Sequence, residues 1–266
     1  MGILNVTPDS FSDGGRFADR DRALAHARQM RADGADIVDI GGESSRPGAD
    51  TITEEQELAR VIPLVETLAA EKIPVGVDTR KPAVMRAAIV AGAAMINDIF
   101  ALRERGALEA CAASNVGVCL MHMQREPRTM QVAPSYVDVV SEVRDFLLAR
   151  AEACLAAGIG RERIAIDPGF GFGKTLAHNL ALLRALATFA ATGFPVVAGL
   201  SRKASLGQIT GRTVDERMPA SLAAALSAVA HGATVVRVHD VRATVDALKV
   251  WRAVENNGGK REFEAR

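Results

Sequence analysis

Asp78, Asn97, Asp98 and Asp167 stand in or at the ends of short apolar runs, in GVD, MIND and IAID. Carboxylates and a carboxamide in such places accept N–H groups, and burying them without partners costs several kcal/mol. In MINDI, Asn97 and Asp98 are adjacent, and successive strand residues face opposite sides, so one points into the fold and the other toward its covering layer. A second set is cationic. Lys203 lies in GLSRKAS, and Arg237 and His239 stand two apart in VVRVHD, on one face of a strand. Arginine offers phosphate a planar fork, and lysine a compact cation. A third stretch, GILNVTPDSFSDGG at 2–15, runs from apolar residues into a polar loop holding Asn5, Asp9 and Asp13. That loop is far longer than a turn requires, which marks a site rather than a connection.

Two motifs carry competing structural readings. In GVDTRKPAV, Asp78 or Thr79 can cap the helix that starts near Pro82, and Thr79 is the better placed. GFGFGKT resembles a phosphate-cradling loop, but GxxxxGK[ST] requires glycine at 168, where Pro168 stands. Three glycines interleaved with Phe170 and Phe172 instead suit a loop that brings backbone and an aromatic face against a flat ligand.

These residues need a frame. Short β-branched runs at Gly2–Val6, Ile37–Gly41, Val75–Asp78, Met95–Ile99, Gly117–His122, Ile164–Asp167, Pro195–Leu200 and Val235–His239 predict strands. Between them lie helical stretches at Asp19–Asp33, Glu54–Glu71, Pro82–Ala91, Arg103–Ser114, Ser135–Ala157, Leu176–Ala191 and Asp215–His231, with a last from Ala243 to about Glu255. Glycines at 34, 92, 158, 193 and 232 follow helix ends, where a left-handed backbone is needed. Eight strand–helix units in 266 residues predict one (β/α)₈ barrel spanning 1–266, with a doubly wound open sheet as the alternative. Asn5, Glu43, Asp78, Asn97, His122, Asp167, Ser201–Lys203, Arg237 and His239 then gather at the C-terminal strand ends, where barrels place chemistry.

Composition narrows the partners. Lys plus Arg and Asp plus Glu are both 32, so no general field draws nucleic acid or an anionic membrane, and a bound anion must be held by a few placed cations. No run approaches the roughly 20 apolar residues of a spanning helix. Cys111, Cys119 and Cys154 lack CxxC spacing and read as reduced core residues of a cytosolic protein. His26, His178 and His231 fall in helical stretches, and no HExxH or Cys/His cluster exists for a caged zinc. A Mg²⁺ held mainly by ligand phosphates and one or two protein oxygens fits better.

Taken in order, MGILNVTPDSFSDGG, DIGGESSRPGA, GVDTRKP, INDI, CLMHMQ, DPGFGFGK, GLSRK and VRVHD resemble the signature blocks of the dihydropteroate synthase family, from Gly2 to His239. The resemblance implies condensation of a dihydropterin-CH₂-diphosphate with p-aminobenzoate to give dihydropteroate and pyrophosphate, with Mg²⁺, a (β/α)₈ barrel and a cytoplasmic homodimer. By motif position it implies that Asp78, Asn97, Asp167 and Lys203 line a pterin slot walled by Ile99, Met121, Phe172 and Gly199. Asn5, Arg46, Arg237 and His239 would hold the diphosphate, with Asn5 on the metal. Ser45, Arg46, Pro47, Phe172 and Lys203 would receive p-aminobenzoate. Asp13, Arg46, Lys203, Arg237 and His239 would carry the chemistry.

The chemistry agrees with that assignment. The methylene carbon is benzylic-like, so loss of diphosphate can run ahead of amine attack and needs charge stabilisation more than a strong base. Asp13 would stabilise the pterin cation or help close the first loop, and both long loops are expected to close over diphosphate and metal and exclude water. Arg46→Ala is then expected to lose turnover more than pterin affinity. One departure stands out: Ala204 follows Lys203 where many members of the family carry serine. A pterin domain of a methyltransferase would share the Asp/Asn/Asp slot but not the SRPG and SDGG loops. An isomerase or aldolase barrel would need a base or Schiff-base lysine, for which only Lys203 qualifies. A non-catalytic pterin binder would not need Asn5, Arg46, Arg237 and His239 together.

Overall fold

A computed structural model describes residues 1–6, 16–44 and 51–255. The β-branched runs form eight parallel strands: β1 (Gly2–Asn5), β2 (Val38–Gly41), β3 (Val75–Asp78), β4 (Met95–Asp98), β5 (Gly117–Met121), β6 (Ile164–Asp167), β7 (Val197–Ala198) and β8 (Val235–Val236). The first six pair in chain order, and β7 pairs with β8. The two sheets meet at both seams through single bridges, Ile166 with Val196 and Gly2 with Val238. Backbone bonds from Ile166 N–H to Pro195 O (2.9 Å) and from Ile3 N–H to Val238 O (2.9 Å) support these seams. The ring thus closes as a (β/α)₈ barrel, thinly paired around β7 and β8, where the expected longer strands shorten to two residues each.

The strand period sets what each face does. Val38, Ile40, Val75, Val77, Ile96, Val118 and Leu120 are fully buried in the main core, which joins strands to helices from Leu4 to Val241. The alternate positions face the barrel interior. Low in the barrel, Met1, Met95, Cys119 and Val197 form a separate buried cluster, with Ile37, Ala165 and Val235 packed on it. This is an apolar floor, and the polar strand ends lie above it.

Ten α-helices are present among the described residues: α1 (Arg16–Ala32), α2 (Glu54–Ala70), α3 (Pro82–Val90), α4 (Ala107–Ala112), α5 (Val139–Ala156), α6 (Leu176–Arg184), α7 (Leu186–Ala190), α8 (Ala204–Thr210), α9 (Met218–Ala230) and α10 (Val241–Glu255). Thr53 and Gln56 start α2 with a reciprocal capping box. Asp138 caps α5 by accepting from Val140 N–H, which moves the helix start from the expected Ser135 to Val139. Ala185 interrupts the stretch expected as one helix over Leu176–Ala191. The short helix α8 lies where the sequence reads as loop. Among the described residues no helix is long and apolar enough to cross a membrane.

Candidate active site

The polar centre of the barrel mouth is built around a residue the motif reading did not single out, Asp39 on β2. It is fully buried, and its Oδ2 accepts from Arg237 Nε at 2.5 Å and from Asn97 Nδ2 at 3.1 Å. Arg237 Nη2 also donates to Asp78 Oδ2 at 2.8 Å. Room for Asp39 comes from its register partner Gly76, where a Cβ would stand 2.6 Å from Asp39 Oδ1. The available signal was an aspartate inside the apolar run DIVDIGG, the same anomaly that marks MINDI.

Asn97 and Asp98 separate as strand geometry requires. Asn97 turns inward, and with its amide held by Asp39 its Oδ1 is buried without a partner. Asp98 turns outward and accepts from Phe100 N–H (2.8 Å) and Leu102 N–H (2.7 Å). It thereby shapes a turn in which Ala101 and Leu102 have positive φ, and Arg150 holds the carbonyls of both. Ile99, between these two roles, joins Met121, Phe100, Met123 and Met130 in an apolar cluster against which Phe172 packs.

Asp167 closes the opposite side of the slot. Its Oδ1 accepts from Gly169 N–H at 2.7 Å, and a Cβ on Gly199 would stand 3.9 Å from Oδ2. Lys203 Nζ lies 4.2 Å from the centroid of the Phe172 ring. Asn5 stands at the end of β1, where a Cβ on the neighbouring Gly41 would come within 3.5 Å of Asn5 Oδ1 and 3.7 Å of Asp78 Cβ. His239 is fixed by Ser201, whose Oγ lies 3.0 Å from Nδ1 and accepts His239 N–H at 3.2 Å.

Burial shifts these groups strongly. It raises Asp78 to about 7 against the pull of Arg237, and it raises Asp167 while Gly169 N–H opposes it. Burial, then Arg237, lowers Lys203 to about 8. Burial works against the Arg237 charge, yet Asp39 and Asp78 hold it above its ordinary value. Burial and the nearby Arg202 and Arg237 bring His239 to about 4, so its imidazole is neutral near pH 7. Burial pushes the Cys111 thiol to about 12 and Cys154 to about 11, which removes them as nucleophiles at neutral pH.

Beside the slot, a cleft of 170 Å³ is lined by Glu43, Ser44, Thr51, Asp78, Thr79 and Ile99, among others. Its wall is an ion network that sequence reasoning missed: Lys81 Nζ lies 2.6 Å from the buried Glu57 and 3.1 Å from Glu43, and Glu43 accepts from Ile52 N–H. Thr79 does not cap α3, whose N-cap is Lys81, but its hydroxyl accepts Lys81 N–H at 3.2 Å. A hollow between α2 and α3, lined by Ile62, Ala69, Ala87 and Val90, lies outside the barrel and brings in only Glu66 and Arg86 as charged groups.

The structure therefore brings Asn5, Asp78, Asn97, Ile99, Met121, Asp167, Phe172, Gly199, Lys203, Arg237 and His239 to one barrel end. Asp13, Ser45, Arg46 and Pro47 lie outside the described residues. Ala204 begins α8 and is exposed. His26 and His231 are exposed on helices, and His178 serves the start of α6. Among the described residues no three His, Cys, Asp or Glu side chains cluster as a metal site. The oxygen of Asn5 beside Asp78 fits a hard cation that takes most of its ligands from phosphate.

Comparison with known proteins agrees with this geometry. The family described as pterin binding enzyme matches residues 1–239. The dihydropteroate synthase of Neisseria meningitidis serogroup B (strain ATCC BAA-335 / MC58) is 52% identical over 264 residues, covering 97% of this chain and 93% of that protein. The Xanthomonas albilineans dihydropteroate synthase with 4-aminobenzoic acid superposes with a TM-score of 0.91 at 54% identity, covering 96% of this chain and 92% of that one. The Burkholderia cenocepacia dihydropteroate synthase complexed with 7,8-dihydropteroate superposes at 0.89 with 54% identity, covering 98% and 92%. A slot of inward carboxylates and a carboxamide on a (β/α)₈ barrel, with matches of this extent, means that the chain belongs to the pterin-binding enzyme family, among the dihydropteroate synthases.

Proposed function

We propose that the barrel mouth binds a dihydropterin-CH₂-diphosphate in the Asp78–Asn97–Asp167 slot and joins its methylene to the amine of p-aminobenzoate. The observation that carries this assignment of residues is the buried, unpartnered Oδ1 of Asn97, flanked by two inward carboxylates. A flat heterocycle edge rich in N–H donors satisfies all three acceptors, whereas an apolar ligand would leave them stranded. The walls suit a ring: Ile99 and Met121 lie in one apolar cluster on which Phe172 packs, and Lys203 stands over the Phe172 ring.

In the reaction the methylene C–O bond to diphosphate breaks, the C–N bond to the amine forms, and the amine nitrogen gives up a proton. Arg237 has five N–H groups; two bond Asp39 and Asp78, which leaves three for phosphate oxygens. His239 meets the leaving group as a neutral donor, because Ser201 orients it and burial, helped by the nearby arginines, keeps it uncharged. Lys203 places a cation at the Phe172 face, between the ring slot and the incoming amine. Asn5 would hold Mg²⁺, which supplies charge neutralisation on the diphosphate when bound. By resemblance Arg46 would meet the diphosphate and p-aminobenzoate, and Asp13 would stabilise the pterin cation or help close the first loop.

The proposal extends to a cytoplasmic homodimer. Three buried free thiols suit a reducing compartment. Ile209, Val214 and Met218, exposed by 55%, 45% and 40% along the α8–α9 connection, offer an apolar face to a second copy. Sedimentation velocity checks the dimer, with a single monomeric boundary at micromolar concentration counting against it. The function is tested by measuring pyrophosphate release and dihydropteroate formation with and without p-aminobenzoate and Mg²⁺. Release coupled to product is expected only with all components; no release under any condition refutes the assignment.

A further inference from the structure

Lys174 is the lysine of GFGFGKT, a loop without the phosphate-cradling spacing, and neither the slot nor the diphosphate site uses it. It is 3% exposed, yet it carries a basic amine. Its Nζ lies 2.9 Å from Phe172 O, 3.0 Å from His122 Nδ1 and 3.4 Å from His122 O. All three hydrogen-bond partners are neutral, since burial brings His122 down to about 3, and the carboxylate that favours its charged form, Asp167, is not among them. An apolar side chain of the same length would fill this space without the desolvation cost of a cation, so a purely structural role does not explain it.

The loop around it explains the placement. Gly169, Gly171 and Gly173 all have positive φ, so the backbone between them folds by alternation and cannot stiffen itself as helix or strand. Among its own groups only Phe172 N–H to Gly169 O is paired. Neighbouring side chains hold the other groups: Gln131 donates to Gly171 O, Asn179 accepts from Gly171 N–H, and Tyr136 donates to Gly173 O at 2.8 Å. A Cβ on Gly169 would overlap His122 O at 1.9 Å, so the loop packs backbone to backbone on the segment after β5. Phe170 points into the core, whereas Phe172 is only part-buried and meets the slot and Lys203. Lys174 is the one of these clamps that grips the Phe172 peptide itself.

We infer that Lys174 is a positioning residue for the second substrate: by tying Phe172 O to His122 it fixes the Phe172 ring as the wall against which p-aminobenzoate seats. This rests on the proposed function, with Phe172 at the p-aminobenzoate seat as the family resemblance implies. Burial lowers Lys174 to about 7, and a neutral amine still offers two N–H donors here.

The test uses the full chain with Lys174→Met, which keeps the stem and removes the donors, and Lys174→Gln, which keeps an N–H₂ donor. Product formation by the unmodified protein tests the function alone; the ratio of variant to unmodified KM values tests Lys174. For Lys174→Met the KM for p-aminobenzoate rises about tenfold or more, the scale expected when a contact surface shifts by a fraction of an ångström. The KM for the pterin diphosphate rises by a clearly smaller factor, because Asp78, Asn97, Asp167, Ile99 and Met121 hold the pterin without Phe172, and Lys174→Gln recovers part of the loss. A p-aminobenzoate KM unchanged in both variants, or a pterin KM rising by the same factor, overturns the inference. If Lys174→Met does not fold, the same two KM ratios in Lys174→Gln decide it.

Discussion

The floor and the mouth of the barrel use the same strands and the same inward-facing positions, but their chemistry is opposite. Met95 and Cys119 belong to the apolar floor cluster, while Asp39, Asn97 and Arg237 form a buried polar centre in the mouth. The floor has no polar demand and contributes packing. The mouth leaves the Oδ1 atoms of Asp39 and Asn97 buried and unpaired and holds Asp78 and Lys203 away from their ordinary ionisation. A protein selected for stability alone would not keep such groups, so the mouth holds ligand-ready strain that the floor and the outer core offset.

The contrast breaks if mouth substitutions act mainly on stability. Lys203→Met removes a half-buried cation that the proposed function sets at the reacting groups; kcat/KM is expected to fall by about 10²–10³ while the urea midpoint holds or rises. Met95→Ala does the reverse: stability falls by about 3 kcal/mol in chemical denaturation, with kcat/KM per folded molecule unchanged. Loss of activity with full folding in Met95→Ala would erase the distinction.

The pH dependence sharpens it. The proposed function uses Asp78 ionised beside Arg237 and Lys203 protonated, so kcat/KM is expected to be highest between about 7 and 8, falling on both sides. Stability moves differently. Between the ordinary carboxylate range and about 7, folded Asp78 holds a proton that the unfolded chain has lost. Stability from this group is therefore full at low pH and is lost as pH rises through about 7, and Asp78→Asn flattens that slope in pH-dependent denaturation. The smallest effect belongs to Asp98→Asn, on the outer face of the strand that carries Asn97. Losing part of one acceptor pair there costs about 1 kcal/mol in thermal unfolding and leaves pterin affinity unchanged.

Much of this division is written in local sequence. The strands are short β-branched runs, and Asp78, Asn97 and Asp167 stand out because each places a polar group where the run is otherwise apolar. The opposite destinations of Asn97 and Asp98 follow from the two-residue period alone. What stayed hidden depends on contacts between distant segments. Asp39 meets Arg237 across 198 residues of chain, and Lys174 meets His122 across 52. Neither pairing has a local signature. The shift of the α5 start to Val139 and the helix at Ala204–Thr210 likewise turn on a cap and on packing that a periodicity reading does not weigh.

The central claim is that the mouth recognises the donor edge of a pterin through fixed acceptors. Asp167→Asn tests it, because its oxygen can still take Gly169 N–H while its N–H₂ turns a donor toward the ligand's donors. The measurement is calorimetric titration of 6-hydroxymethyl-7,8-dihydropterin, without diphosphate, into the unmodified and Asp167→Asn proteins. Saturable binding to the unmodified protein, weakened about tenfold or more by Asp167→Asn, is predicted. Equal affinity in the two proteins, or no binding to the unmodified one, would contradict the account.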